Sequence, residues 1–395
     1  SRFNGVVTGL FAILTALLVV SITSYAWLEQ VVGRGVLGLA VLIYAVLWLG
    51  GNQLLYHYVW ARPRFAYRVA IVGPGPDAMS LARMVTSPLI RPTHVLAVSL
   101  RIGPAGGKGD ESWNGAPVWT APPEEWGAIL RRHQVRCLFI APNYRSQEPA
   151  LYPHLRRLRF EGIQVFDPLA ASEIYAGRIP LELIDEHWLT RAGTGLAPLG
   201  TMRVKWVMDL ILGFFALVLL LPLGILIALA VKLSDPGAPV LFRQKRVGHF
   251  GREFDMFKFR TMRPGADRAG AVWSPADDPR ITPLGRFLRR YRLDELPQLI
   301  NVIRGEMCLV GPRPEQPAIA ARLEKEIPFY RERENVAPGI TGWAQIRHPY
   351  GATVEDARYK LEFDLYYIKN LSLALDLRIL LRTLRIMVLG LERRA

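Results

Sequence analysis

The sequence predicts a membrane-associated α/β protein, and three observations carry that prediction. Apolar runs of bilayer-spanning length occur at Gly5–Trp27, Leu37–Tyr58 and Met208–Val231. Between the second and third, short strand-like runs alternate with helical stretches. The 49 lysines and arginines outnumber the 34 acids, which gives a net charge of +15. That balance calls for nucleic acid, anionic lipid or phosphorylated substrates. No nucleic-acid module is visible, and basic residues among apolar runs favour an anionic membrane surface. At 395 residues there is room for two or three domains, and 51% hydrophobic content fits a few membrane segments better than a polytopic bundle.

Residues 1–62 are expected to form a transmembrane helical hairpin. Tyr and Trp lie near the ends of the second run, as at membrane interfaces. Arg62, Arg64 and Arg68 follow it, whereas the loop between the runs carries only Glu29 and Arg34. The positive-inside bias therefore sets the Arg62 end in the cytosol. Gly5–Trp27 is too long for a signal peptide and lacks a small-residue cleavage site. The chain begins at Ser1 rather than methionine, so native sequence is expected to precede it.

Residues 66–190 read as a soluble α/β unit. Val69–Val72 is a short buried strand, and Gly73–Pro74–Gly75–Pro76 turns from it into an Ala/Met/Leu-rich helix. Strand-like runs recur at Val95–Leu100, Val135–Ile140 and Ile163–Phe166, which predicts a parallel sheet. The turn lacks the full GxGxxG pattern, and its prolines cannot donate backbone bonds to a pyrophosphate. No acid follows the second strand to hold a ribose. The unit is thus expected to be a degenerate Rossmann-like accessory domain, structural or regulatory, without cofactor.

Leu189–Met202 reads as a linker. Met208–Val231 is interrupted at Leu221–Pro222 and flanked by positive charge on both sides, Arg203 and Lys205 before it, Lys232, Arg243, Lys245 and Arg246 after it. A re-entrant helix over 208–231, bent near Pro222, keeps both ends in the cytosol. A spanning helix with a proline kink is the alternative. Asp209 is placed to pair i,i+4 with Lys205. Leu375–Leu389, with Arg378, Arg382 and Arg385, predicts a basic amphipathic helix that either lies in the interface or packs on the core. Cys137 and Cys308 fit neither a zinc site nor a disulfide framework, which suits a reducing cytosolic compartment.

The chemistry concentrates in residues 286–297. Arg286, Arg289, Arg290 and Arg292 precede the adjacent acids Asp294 and Glu295, and Pro297 follows. Arginine forks match phosphate oxygens. Paired acids beside them suit either a metal site or a carboxylate nucleophile kept ionised by positive neighbours. Pro297 disfavours helical geometry at Leu296 and is expected to open a helix to Ile303, which sets the acids near its N-terminus. An ordinary N-cap beside a solvated basic face is the other reading.

Around this segment stand Phe242–Gly248, Met256–Met262, Asp277–Thr282, Leu309–Pro314 and Pro338–Gln345. With these ordered motifs, residues 203–390 resemble the bacterial sugar transferase family, the monotopic polyprenyl-phosphate phosphoglycosyl transferases. The architecture as a whole resembles the large exopolysaccharide-initiating subfamily. The resemblance implies a mainly α-helical monotopic catalytic domain over 203–395, on the cytoplasmic face of the bacterial inner membrane. It implies transfer of a sugar-1-phosphate from a UDP-sugar to undecaprenyl phosphate through an aspartyl-phosphosugar intermediate, with release of UMP.

Asp294 matches the family's nucleophile and Glu295 its dyad partner, the pair expected to place Mg²⁺. Arg289 matches the family's phosphate-contacting position, Arg313 lies within the Pro-Arg-Pro turn as a substrate-binding candidate, and Lys258, Arg260 and Arg280 are further candidates for diphosphate or lipid phosphate. Asp364 and Asp376 match acidic positions of the C-terminal segment, as substrate-binding residues or as helix caps and ion-pair partners. Gly339, Gly342 and Trp343 suggest a tight turn with an aromatic at a substrate or membrane surface, or in the core. Two positions depart from the family pattern: Leu221 stands where serine often precedes the proline, and Cys308 replaces a serine. A homodimer is expected from the resemblance alone, as is a UDP-glucose or UDP-galactose donor, with N-acetylated sugars next. The competing functions are a non-catalytic nucleotide-sensing scaffold, and a conventional glycosyltransferase, which would release nucleoside diphosphate.

Overall fold

The computed structural model describes residues 67–73, 95–101, 107–108, 118–141, 148–192, 199–266, 278–348 and 353–389, together with Gly51, Leu81 and Gly351. The hairpin expected within 1–62 lies outside the described residues apart from Gly51, as do Pro74–Pro76 of the glycine turn. The chain divides into two compact units, Ser1–Ala176 and Gly177–Ala395.

The first unit is built on a six-stranded sheet. Its strands are β1 (Tyr67–Val72), β2 (Val95–Arg101), β3 (Gly107–Lys108), β4 (Val118–Thr120), β5 (Cys137–Ile140) and β6 (Gln164–Phe166), in the order β3-β4-β2-β1-β5-β6. Every pairing is parallel except β3 with β4. Ala70 and Val72 face one way, onto Trp126 and Leu130 of α1 (Trp126–Arg132) and onto Leu151, Leu155 and Leu158 of α2 (Glu148–Phe160). Val69 and Ile71 face the other way, among Phe139, Ala171 and Tyr175. A sheet covered on both faces needs continuous apolar strands, which is why β1 and β5 were readable as such. β5 starts at Cys137, two residues later than expected, because Gln134 takes a left-handed turn (φ 56°).

The second unit begins earlier than the sequence suggests. Residues 177–190, grouped above with the α/β domain, belong to it: Trp343 Nε1 donates to Gly177 O at 2.7 Å, and Glu362 accepts from Arg178 at 2.6 Å. The long helix α3 (Leu199–Ser234) follows. Among the described residues it alone is long and apolar enough to cross a membrane. The interruption expected at Leu221–Pro222 is absent, and the helix continues through the proline. Pro222 has no N–H to give to the carbonyl four residues earlier, and the surrounding side chains, Leu219, Leu221 and Leu223 among them, are exposed apolar groups.

Packing fixes α3 near both ends. Lys205, 5% exposed, sits between Asp209 and Asp376. Ile227 and Val231 are buried among Phe259 and Leu288. The antiparallel pair β7 (Leu241–Val247) and β8 (Glu253–Phe259) comes next, then α4 (Pro283–Arg290), whose first turn is capped by Thr282 accepting from Gly285 N. A short α5 (Gln298–Ile303), β9 (Cys308–Val310), α6 (Pro317–Glu326) and β10 (Gly339–Thr341), parallel to β9, complete the middle of the unit. Helices α7 (Val354–Lys369) and α8 (Leu373–Leu389) close it. Leu375 and Ile379 of α8 join a core with Trp343, Val310 and Tyr367, while Leu377, Leu381 and Leu384 are exposed. Trp343 is therefore a core residue, 4% exposed.

Candidate active site

Asp294 and Glu295 share one 3-10 turn, Leu293–Glu295, between α4 and α5. Arg292 leads into it with a left-handed backbone (φ 53°, ψ 24°), a conformation that costs a residue with a side chain about 1–2 kcal/mol. The reversal turns both acids inward, where they are 7% and 8% exposed. Leu296 is helical (φ −52°, ψ −39°), contrary to the expectation for a residue before proline, and Pro297 is an N-cap with α5 starting one residue later. Packing of Leu293 and Leu296 against Phe259 and Leu288 outweighs the modest steric preference.

The cations gather on Glu295. Arg313 donates from Nη2 to Oε1 at 2.8 Å, Lys258 Nζ lies 3.5 Å from the same oxygen, and Arg292 Nη1 lies 3.8 Å from Oε2. Burial pushes the Glu295 carboxyl up, but Arg313, Lys258 and Arg292 together outweigh it and hold the group far below the usual range. Asp294 differs. Its carboxylate has no hydrogen-bond or ion-pair partner among the described residues, and burial, then the charge of Glu295, push its pKa up against the pull of Lys258, Arg289 and Arg313. The arginines expected to keep Asp294 ionised thus act on it at longer range. Lys258 is itself pushed down to about 8 by burial and by Arg313, in spite of the two acids.

Sequence motifs explain how these groups meet. Lys258 projects from β8 one residue before its last, Phe259, which packs on α3. Arg313 sits in the Gly311–Pro314 turn after β9, and this turn is pressed against the turn of β10. A Cβ added to Gly339 would fall 2.0 Å from Gly311 N, so only glycines allow the approach. The Arg313 side chain as a whole remains 34% exposed. Arg289 donates from Nε to Thr261 Oγ1 at 2.9 Å, which orients it beside the dyad turn.

The other nominated residues are engaged elsewhere. Arg280 forks onto Asp278 at 2.6–3.1 Å and holds its carboxyl near 2. Arg260 donates to Pro239 O and Asp235 O. Asp364, 1% exposed, pairs with Arg333 at 2.8 Å. Asp376 pairs with Lys205 at 2.7 Å and accepts from Tyr367 Oη at 2.8 Å. The structure thus brings together Asp294, Glu295, Lys258, Arg313 and Arg289, and leaves Arg260, Arg280, Asp364 and Asp376 in internal pairs. Sequence reasoning missed Thr261, although it adjoins Lys258 and Arg260, and Arg333, for which no local signal exists.

Among the described residues, no cluster of three or more His, Cys, Asp or Glu side chains could cage a metal. Magnesium, however, is commonly held by one or two carboxylates together with substrate phosphates and water. The adjacent carboxylates of Asp294 and Glu295 fit that donor chemistry.

A buried carboxylate pair ringed by arginine and lysine, on a unit that carries a long apolar helix, is chemically suited to phosphate oxygens and to a divalent cation. The chain belongs to the bacterial sugar transferase family, whose model matches residues 200–390. It is 41% identical over 236 residues to a UDP-N-acetylgalactosamine-undecaprenyl-phosphate N-acetylgalactosaminephosphotransferase of Aeromonas hydrophila, an alignment covering 60% of this chain and 55% of that one. A UDP-glucose:undecaprenyl-phosphate glucose-1-phosphate transferase of Xanthomonas campestris pv. campestris is 48% identical over 189 residues, 47% of this chain and 39% of the relative. The exopolysaccharide production protein PSS of Rhizobium leguminosarum bv. phaseoli is 41% identical over 188 residues, 46% of this chain and 92% of the relative. The chain spans about half, or less, of the length of the first two relatives.

Proposed function

We propose that this protein transfers a sugar-1-phosphate from a UDP-sugar to undecaprenyl phosphate, the first membrane step of an exopolysaccharide or O-antigen. The observation that carries the reading is the division of labour in the dyad: Glu295 is fixed by Arg313 and Lys258, while the Asp294 carboxylate is buried and has no hydrogen-bond or ion-pair partner among the described residues. An oxygen of Asp294 attacks the sugar-side phosphorus, an acyl-phosphate bond forms, and the diphosphate bond breaks to release UMP. The phosphate oxygen of undecaprenyl phosphate then attacks that phosphorus and frees the Asp294 carboxylate. Arg313, Arg289 and Lys258 neutralise and orient the diphosphate, since phosphoryl transfer depends chiefly on positioning and charge. A bound Mg²⁺, held by Asp294 and Glu295, would neutralise phosphate charge. Quenching the protein with donor alone should leave a phosphosugar adduct on Asp294, and Asp294→Asn should be folded but inactive. Substantial turnover by the asparagine variant refutes the assignment. A panel of UDP-sugars identifies the donor.

The same reading sets α3 as a re-entrant helix, with the catalytic residues 203–395 on the cytoplasmic face of the inner membrane. In its support, Lys205 near one end and Ile227 and Val231 near the other pack on one unit, while Phe214, Phe215, Leu219 and Leu226 between them are exposed. Both ends of α3 thus pack on the same unit, which supports a cytoplasmic placement for both. The parallel order with β1 at the centre supports a Rossmann-like accessory domain for the first unit.

A further inference from the structure

Pro312–Arg313–Pro314 is a turn with few ways to be held. Its prolines have no N–H, so its carbonyls must serve as attachment points. Two arginines, the buried Arg333 and the half-buried Arg246, take consecutive ones. Arg333 donates from Nη2 to Arg313 O at 2.9 Å, and Arg246 donates from Nη1 to Pro314 O at 2.9 Å. Arg333 also donates from Nη1 to Tyr330 Oη at 2.8 Å, and its Nη2 lies 2.8 Å from Asp364 Oδ2. Asp364 is 1% exposed and Arg333 9%, so each is the counter-ion without which the other is a stranded charge. The Arg313 side chain leaves this clamped backbone and reaches Glu295 at 2.8 Å.

We propose that Asp364 and Arg333 are positioning residues for the transfer reaction: they fix the backbone of the Arg313 turn, and thereby where the Arg313 guanidinium meets Glu295 and the donor diphosphate. Asp364 touches neither substrate nor dyad. Its influence passes through Arg333 to the Arg313 carbonyl. The proposal rests on the donor-binding role assigned to Arg313 above.

The test uses the full chain in nanodiscs, with a double-mutant cycle on UMP release and hydrogen exchange on the resting protein. Asp364→Asn keeps the size of the side chain and removes its charge. Arg333→Lys keeps the charge but cannot reach three acceptors at once. Each should lower kcat/KM about tenfold in the wild-type background and less than about twofold when Arg313 is already alanine, since coupled residues are not additive. If Asp364→Asn fails to fold, Tyr330→Phe, which removes one hydroxyl partner of Arg333, enters the same cycle with an expected loss of about threefold. Equal losses in the two backgrounds, or no loss in either, overturn the proposal.

The exchange arm reads the turn without any chemistry. Val247 N–H donates to Glu315 O at 2.9 Å and Gly339 N–H to Pro312 O at 2.9 Å, so both amides report on the ends of the turn. Their exchange should accelerate in Asp364→Asn and Arg333→Lys, and unchanged exchange refutes the clamp. Faster exchange in the variants of a protein that releases no UMP from any donor would support the clamp and reject the transfer reaction instead.

Discussion

Replacing Lys205 with methionine should be among the most damaging single changes outside the dyad. The ammonium lies 3.0 Å from Asp209 Oδ2 and 2.7 Å from Asp376 Oδ2, with all three residues at most 7% exposed. Methionine preserves much of the length and apolar volume but leaves two carboxylates in the interior without a cation. Removing one member of a buried ion pair costs about 3–5 kcal/mol. At roughly 2–4 °C per kcal/mol for a unit of this size, the midpoint of thermal unfolding should fall by about 12 °C. The assay is tryptophan-fluorescence melting of the full chain in one detergent. The combined variant Lys205→Met, Asp209→Leu, Asp376→Leu should recover most of the loss, because apolar packing can replace a buried ionic cluster at little net change in stability. A shift below about 3 °C for the single variant, or a combined variant no more stable than the single one, would refute the reasoning.

Two other predictions concern the site and the membrane. In the proposed reaction Lys258 binds the donor as an ammonium, and its pKa is pushed down to about 8, so on that proposal donor affinity should fall as pH rises through that value. Lys258→Arg should move the decline to higher pH, and an identical alkaline limb in both proteins would assign it to another group. Single cysteines near Arg203 and near Gly248 should react with impermeant reagents only from the cytoplasmic side; labelling of either from outside would make α3 a spanning helix.

The parts of the fold that the sequence revealed are those where one local pattern has one structural solution. β1 and β5 were readable because strands covered on both faces must be apolar without interruption. Lys205–Asp209 was readable because i,i+4 spacing on a helix brings side chains together, and the pair is seen at 3.0 Å. That Asp376 shares the same ammonium was not, since the partner arrives from α8. Arginine content cannot rank these residues either: Arg280, Arg260 and Arg313 look alike in the sequence, and it is the fold that sets them against Asp278, the Pro239 carbonyl and Glu295 respectively. Leu296 was misjudged because a dihedral preference of one residue yields to packing against Phe259 and Leu288. Resemblance to a family supplied the roles of Asp294 and Arg313; no spacing in the chain would have joined them.

The cluster that seats the second half of α3 is also the floor of the dyad turn. Ile227 and Val231 pack with Phe259 and Leu288, and Leu293 and Leu296, the residues on either side of Asp294 and Glu295, pack against that same group. Bilayers of different thickness press differently on an embedded helix, which ordinarily answers by tilting. Here the helix is tethered at Lys205 and wedged at Val231, so the strain has no slack segment in which to dissipate. It arrives at the two leucines flanking Asp294 and Glu295. A change of lipid thickness around α3 therefore bears on the turn that presents the two buried carboxylates.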